Sequence, residues 1–167
     1  AKDAVCIYLN KENNYSNYSL SELKDIFTGK TPNWISYSAD TNNIVLVIRP
    51  KESGTRKYFQ EFVLKGEKFS DNVVELGTTS DIIDTVADDK YAIGFGGLGH
   101  KENIKYATIE DIYPDSDNIR SSKYPLTRYL HFFTSKSAKG ILKKFIDWVL
   151  SPDGQKIIKE EGFIPLW

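Results

Sequence analysis

Apolar residues recur along this chain with two periods. Residues 4–9, Ala4-Val5-Cys6-Ile7-Tyr8-Leu9, are unbroken apolar and predict a strand. Leu20, Leu23, Ile26 and Phe27 recur at helical spacing and predict a helix. Ser19-Leu20-Ser21-Glu22 gives its start, a capping box in which hydroxyl and carboxylate satisfy early amides, and Gly29 gives its stop. Residues 32–40 read as a loop around Trp34. Residues 44–48 form a continuous apolar run rich in β-branched residues, the pattern of a strand covered on both faces. A helix over 54–64 is expected to turn Tyr58, Phe59, Phe62 and Val63 inward. Val73-Val74 is a short strand, 80–87 a helix presenting Ile82, Ile83 and Val86, and 91–95 another strand.

Further on, residues 104–114 fit neither period, and 115–122 read as a polar loop. Residues 126–134 predict a long strand rich in aromatics. The clearest helix, 138–150, lines up Ile141, Leu142, Phe145, Trp148 and Val149 on one face. Ser151-Pro152-Asp153 opens a further helix, with serine as N-cap, proline in the first helical position and an acid in the first turn; Gly162 closes it. Strand and helix alternate throughout. The expected class is therefore α/β, a mostly parallel, helix-covered sheet in a single domain over 1–167.

Composition narrows the function classes. The 167 residues carry a formal net charge of -1, which offers no electrostatic case for nucleic acid. No apolar stretch approaches the ~20 residues of a membrane helix, and no secretory apolar segment is present. Methionine is absent, so Ala1 is expected to follow a processing cut or to open a fragment of a longer chain. One cysteine excludes an internal disulfide; Cys6, inside a strand-like run, is expected to be a buried small hydrophobe.

The candidate chemistry lies in residues 49–59, "RPKESGTRKYF". A strand ends at Ile48 and a helix begins near Gly54. Ligands of parallel α/β sheets collect at the carboxyl ends of strands, and a helix N-terminus offers unpaired N–H groups and a positive dipole end. Ser53 and Thr55 add hydroxyl donors, Gly54 allows close backbone approach, and Arg49 supplies a forked guanidinium for an oxyanion. Arg56, in the first helical turn, is a further candidate. Serine is also a common plain N-cap, so this stretch alone fits a capped helix as well as an anion grip.

Several stretches together resemble the substrate-binding protein of bacterial phosphate ABC importers. They are Arg49-x-x-x-Ser53-Gly54-Thr55-Arg56, "LSELKDIFTGKTPNW" (20–34), "YAIGFGGLG" (91–99), "YPLTRYLHFF" (124–133) and "FIDWVLSPDGQKIIKEEGFIPL" (145–166). The resemblance implies a type II periplasmic-binding-protein fold, two lobes closing over one dehydrated phosphate. On that reading, residues 4–122 are the second-lobe core and 123–167 the return strand and C-terminal helices. Residues 4–10 look like the crossing from first lobe to second. Arg49, Ser53, Gly54 and Thr55 are the contacts carried over. The family's opposing contacts, including an aspartate that accepts the proton of hydrogen phosphate, precede that crossing. A donor-only site would not reject sulfate, so sulfate is an expected surrogate. Lys51 and Glu52 stand where family members often carry an acid two residues after the arginine and a glycine just before the serine; Lys51 is expected to make the turn more electropositive, and Glu52 to oppose that if it points inward.

The resemblance also implies a membrane permease as partner and an extracytoplasmic location, periplasmic or anchored at the cell surface, with the targeting segment outside this chain. Without a first lobe, the 141–149 face is expected to fold back on the sheet or to join two chains as a homodimer or domain swap. The alternative function is an interaction or sensor module that reuses the fold without a solute.

Other signals weigh less. Gly94, Gly96 and Gly99 match G-x-G-x-x-G after a strand, but "HKENIKY" does not open an apolar-faced helix, so a structural turn is expected. His100 and His131 have no metal-ligand spacing. Ser53 lacks a G-x-S-x-G context, and Asp81, Asp84, Asp88 and Asp89 read as a solvated face. No catalytic residue, metal ligand or cofactor is expected, and the chain reads as a binding protein rather than an enzyme.

Overall fold

The continuous apolar runs become the centre of a sheet. In this computed structural model, which describes residues 1–37, 41–99 and 103–167, the strands are β1 (Lys2–Ala4), β2 (Cys6–Asn10), β3 (Asn17–Tyr18), β4 (Val45–Ile48), β5 (Val73–Glu75), β6 (Ala92–Gly96), β7 (Ile104–Tyr106), β8 (Thr108–Ile109) and β9 (Thr127–Tyr129). The helices are α1 (Leu20–Phe27), α2 (Gly54–Phe62), α3 (Thr79–Asp88), α4 (Ser116–Arg120), α5 (Gly140–Val149) and α6 (Pro152–Glu160). Five strands form the main sheet in the order β5-β4-β6-β2-β7. β4 runs parallel to β5 and β6, whereas β2 is antiparallel to both its neighbours. The class is thus mixed α/β: four strands share a direction and β2 is inserted against them.

Successive strand residues face opposite sides of a sheet, and β6 shows what each side requires. Phe95 faces an aromatic cluster. Phe59 of α2 stacks on it at 4.0 Å between ring centroids, and Phe27 of α1 meets both edge-on. Gly94 faces α3, where an added Cβ would lie 2.7 Å from Ile82 Cγ2 and 3.2 Å from the Val47 carbonyl. Next along, a Cβ on Gly96 would strike the Tyr8 ring, whose hydroxyl donates to the Gly97 carbonyl. Gly94 and Gly96 of the G-x-G-x-x-G run thus serve packing, whereas Gly99 serves a turn at φ +99°. His100 lies outside the described residues.

The helix signals are realised locally. Ser19 and Glu22 form the capping box of α1, and Thr78 with Asp81 forms a second at α3. Asp81 is therefore a capping group, and Asp89 accepts from the Tyr91 amide. Cys6 is buried in β2. Ser151 caps α6 with Pro152 and Asp153 in its first turn.

Four expectations are corrected. Phe62 is half exposed rather than inward, because α2 ends there and its ring stacks on Tyr58. Residues 115–122 contain α4, whose N-cap Asp115 accepts from the amides of Asp117 and Asn118. The strand expected over 126–134 is only β9. It pairs with β1 from Thr127 to Tyr129, and the Leu130 amide adds one further bond to the Ala1 carbonyl. Finally, α5 does not fold back on the sheet. None of its residues is buried, and Ile141, Leu142, Phe145 and Trp148 stand exposed. It packs on α6, where Gly154 admits the backbone of Trp148 and Val149 too closely for any Cβ.

Candidate anion-binding site

β4 delivers Arg49 to the end of the sheet, and the chain turns through Pro50, whose carbonyl accepts from the Ser53 amide at 3.0 Å. Ser53 is the N-cap of α2; its Oγ accepts from the Arg56 amide at 3.3 Å. The capping reading is therefore correct, yet it leaves the hydroxyl proton available, since a serine oxygen can accept and donate together. The amides of Gly54 and Thr55 find no acceptor among the described residues. Gly54 is exposed, its φ lies outside the left-handed region, and an added Cβ would meet nothing within 4 Å. Neither backbone conformation nor packing demands this glycine; close approach of a ligand would.

Arg49 donates from Nη1 to Thr79 Oγ1 at 3.0 Å, in the first turn of α3. Its Nε is buried and has no hydrogen-bond partner. The guanidinium is thus braced where the N-termini of α2 and α3 meet the end of β4. Two helix dipoles and one arginine make this corner electropositive. Lys51 and Glu52 are both exposed.

Arg56, the further candidate, does not line this corner. It is buried, donating from Nη1 to the Arg49 carbonyl at 2.9 Å and to Glu75 Oε1 at 2.6 Å, with its guanidinium over the Phe69 ring. It braces the turn from β4 to α2 rather than facing a ligand or open solvent. The structure thus brings Arg49, Ser53, Gly54 and Thr55 to one corner and commits Arg56 behind it.

Sequence reasoning missed Thr79, Arg128 and Asp3. Arg128 Nη2 donates to Thr55 Oγ1 at 3.2 Å, and its Nε and Nη2 reach Asp3 Oδ2 at 2.9 and 2.7 Å. Asp3 and Arg128 face each other in the β1–β9 register, and Asp3 is buried. The Arg128 guanidinium also lies over the Tyr58 ring. Burial raises the pKa of the Tyr58 phenol, with Arg128 opposing the shift. An arginine in an aromatic strand was the only available signal, because its partner lies 125 residues away. His131 is exposed beside Tyr129 and Phe133. Among the described residues no group of three or more acidic, His or Cys side chains could hold a metal, and no helix is long and apolar enough to cross a membrane.

Comparison with known proteins gives the family. The phosphate-binding protein PstS of Bacillus subtilis is 32% identical over 161 residues, covering 95% of this chain and 53% of its own length. Its counterpart in Pseudomonas aeruginosa is 26% identical over 99% of this chain and 58% of its own. The chain spans about half the length of these relatives. An ABC-type phosphate transport receptor from Vibrio cholerae superposes with a TM-score of 0.87 at 28% identity, over 98% of this chain and 70% of that one. A putative phosphate ABC transporter substrate-binding protein from Clostridium perfringens, solved with bound phosphate, gives a TM-score of 0.87 at 28% identity over 100% and 70%. The model of the PBP superfamily domain matches residues 1–153, and the chain belongs to that superfamily, with the type II periplasmic-binding-protein fold.

Proposed function

We propose that this chain binds inorganic phosphate as part of the solute-binding component of a phosphate ABC importer, outside the cytoplasm and with a membrane permease as partner. The observation that carries the reading is the corner at Gly54: an exposed glycine that neither backbone nor packing requires, beside unpaired amides and the braced Arg49. Arg49 neutralises the anion, Ser53 and Thr55 donate hydroxyl and amide hydrogen bonds, and Gly54 lets the oxyanion reach the backbone. Such a receptor binds and releases its solute unchanged, so no reaction is assigned. Residues 4–122 act as the second-lobe core; 123–167 return through β9 and end in the C-terminal helices.

These donors cover one side of the anion, so this chain alone binds phosphate weakly and does not discriminate against sulfate. Calorimetry with both anions tests this. Comparable weak binding of both, lost in Arg49→Ala, is expected. Tight, phosphate-only binding would contradict the one-sided site, and no binding at millimolar anion would leave a fold reused without a solute. The open α5 face is read as covered by a second copy of this chain when the chain stands alone. Light scattering showing a monomer, with Trp148 fully quenched by solvent, would count against that.

A further inference from the structure

Arg128 reaches the anion corner without belonging to its turn. Its Nη2 lies 3.2 Å from Thr55 Oγ1. A guanidinium has donors only, so the threonine oxygen must accept here. The single hydroxyl proton of Thr55 is then turned away from Arg128. A phosphate anion also presents mainly acceptors, and a hydroxyl that meets it must donate. The contact with Arg128 therefore selects the hydroxyl orientation that an anion at the α2 N-terminus needs.

Asp3 makes this arrangement rigid. It faces Arg128 across the β1–β9 pair and takes both Nε and Nη2 on one carboxylate oxygen. The side chain of Asp3 is 4% exposed and that of Arg128 21%. The ion pair largely cancels the guanidinium charge, so Arg128 orients Thr55 without adding a second net cation beside Arg49. We propose that Arg128, held by Asp3, is a positioning residue of the anion site: it fixes the Thr55 hydroxyl as a donor toward bound inorganic phosphate. This rests on the phosphate reading of the same corner.

The test is a double-mutant cycle read by titration with inorganic phosphate, using calorimetry and the amide shifts of Gly54 and Thr55. Arg128→Met and Thr55→Val are each expected to weaken binding about tenfold, the worth of one hydrogen bond to a charged group. The double variant should bind no more weakly than Thr55→Val alone, since Arg128 acts through that hydroxyl. Thr55→Ser, which keeps the hydroxyl, should keep the dependence on Arg128. Should Arg128→Met fail to fold because Asp3 is left buried and unpaired, Asp3→Asn with Arg128→Met removes both charges and the donor to Thr55 and carries the same expected loss. Equal losses in the Thr55 and Thr55→Val backgrounds, or unchanged affinity in a folded variant, overturn the proposal. Arg49→Ala separates the two readings. If it abolishes binding while Arg128→Met does not weaken it, only this proposal falls; if it has no effect, the anion site falls with it.

Discussion

α3 and α5 carry apolar faces of the same kind and have opposite fates. Ile82, Ile83 and Val86 of α3 are buried against β6, β2 and β4, close enough that β6 needs a glycine under them. Ile141, Leu142, Phe145 and Trp148 of α5 form as clear a stripe, and none is buried. Hydrophobic periodicity states that a face is built to be covered; it does not name the cover. For α3 the cover is the sheet between these same residues. For α5 it is not among the described residues, and burying an aliphatic or aromatic side chain contributes about 1.5–3 kcal/mol each, so a cover would contribute substantially.

The largest effect that can break this contrast is a pair of truncations. Phe59→Ala removes a fully buried ring stacked on Phe95 and should cost about 3–5 kcal/mol in urea unfolding. Phe145→Ala, with its ring half exposed, should cost less than about 1 kcal/mol at low protein concentration. A comparable loss from Phe145→Ala would mean that the α5 face is covered in solution, and its dependence on protein concentration would identify a second copy as the cover. A glycine pair sharpens the same contrast at the site. Gly94→Ala forces a Cβ onto Ile82 and the Val47 carbonyl and should destabilise by about 1–3 kcal/mol. Gly54→Ala meets no protein atom, so stability should hold while phosphate binding weakens.

Arginines divide the same way. Arg56→Met removes a donor to Arg49 and Glu75. Because the Glu75 side chain is 42% exposed, the expected loss is about 1–3 kcal/mol rather than that of a fully buried pair. Anion affinity should change little. Arg49→Met should do the reverse, lowering affinity more than about tenfold while leaving the unfolding midpoint nearly unmoved. Equal effects of the two on affinity would return Arg56 to the binding surface.

The caps, the helix faces and the β4–α2 turn were legible because their causes are local. Ser19, Ser53 and Ser151 each cap the helix expected of them. What escaped depends on distant chain. β9 pairs with β1, more than 120 residues earlier in the chain, a partner that no pattern within 126–134 records. The need for Gly94 arises from the crossing of α3. The Asp3–Arg128 pair joins two short strands 125 residues apart, so neither residue could be read as belonging to the Thr55 environment.

The smallest effect concerns alkaline pH and belongs to the sheet body. Burial, with Glu22 adding to it and a hydrogen bond with Thr31 opposing it, pushes Tyr37 up to about 12. An unfolded tyrosine titrates near 10. Between those values the unfolded chain releases a proton that the folded chain keeps, so the unfolded state binds fewer protons and stability falls as pH rises. The contribution is fully present below about pH 10 and lost as pH passes about 12. Burial raises Tyr8, Tyr18 and Tyr124 further, so the decline should continue above that window. Tyr37→Phe should make the slope of unfolding free energy against pH shallower between about 10 and 12, measured by urea titration at each pH. Phe145→Ala should leave that slope unaltered, because α5 lies outside the tyrosine-bearing core. An unchanged slope in Tyr37→Phe would mean that this phenol titrates as in water and that the ring cluster of Tyr15, Tyr18 and Tyr37 is looser than its 4.9–5.6 Å centroid spacings indicate.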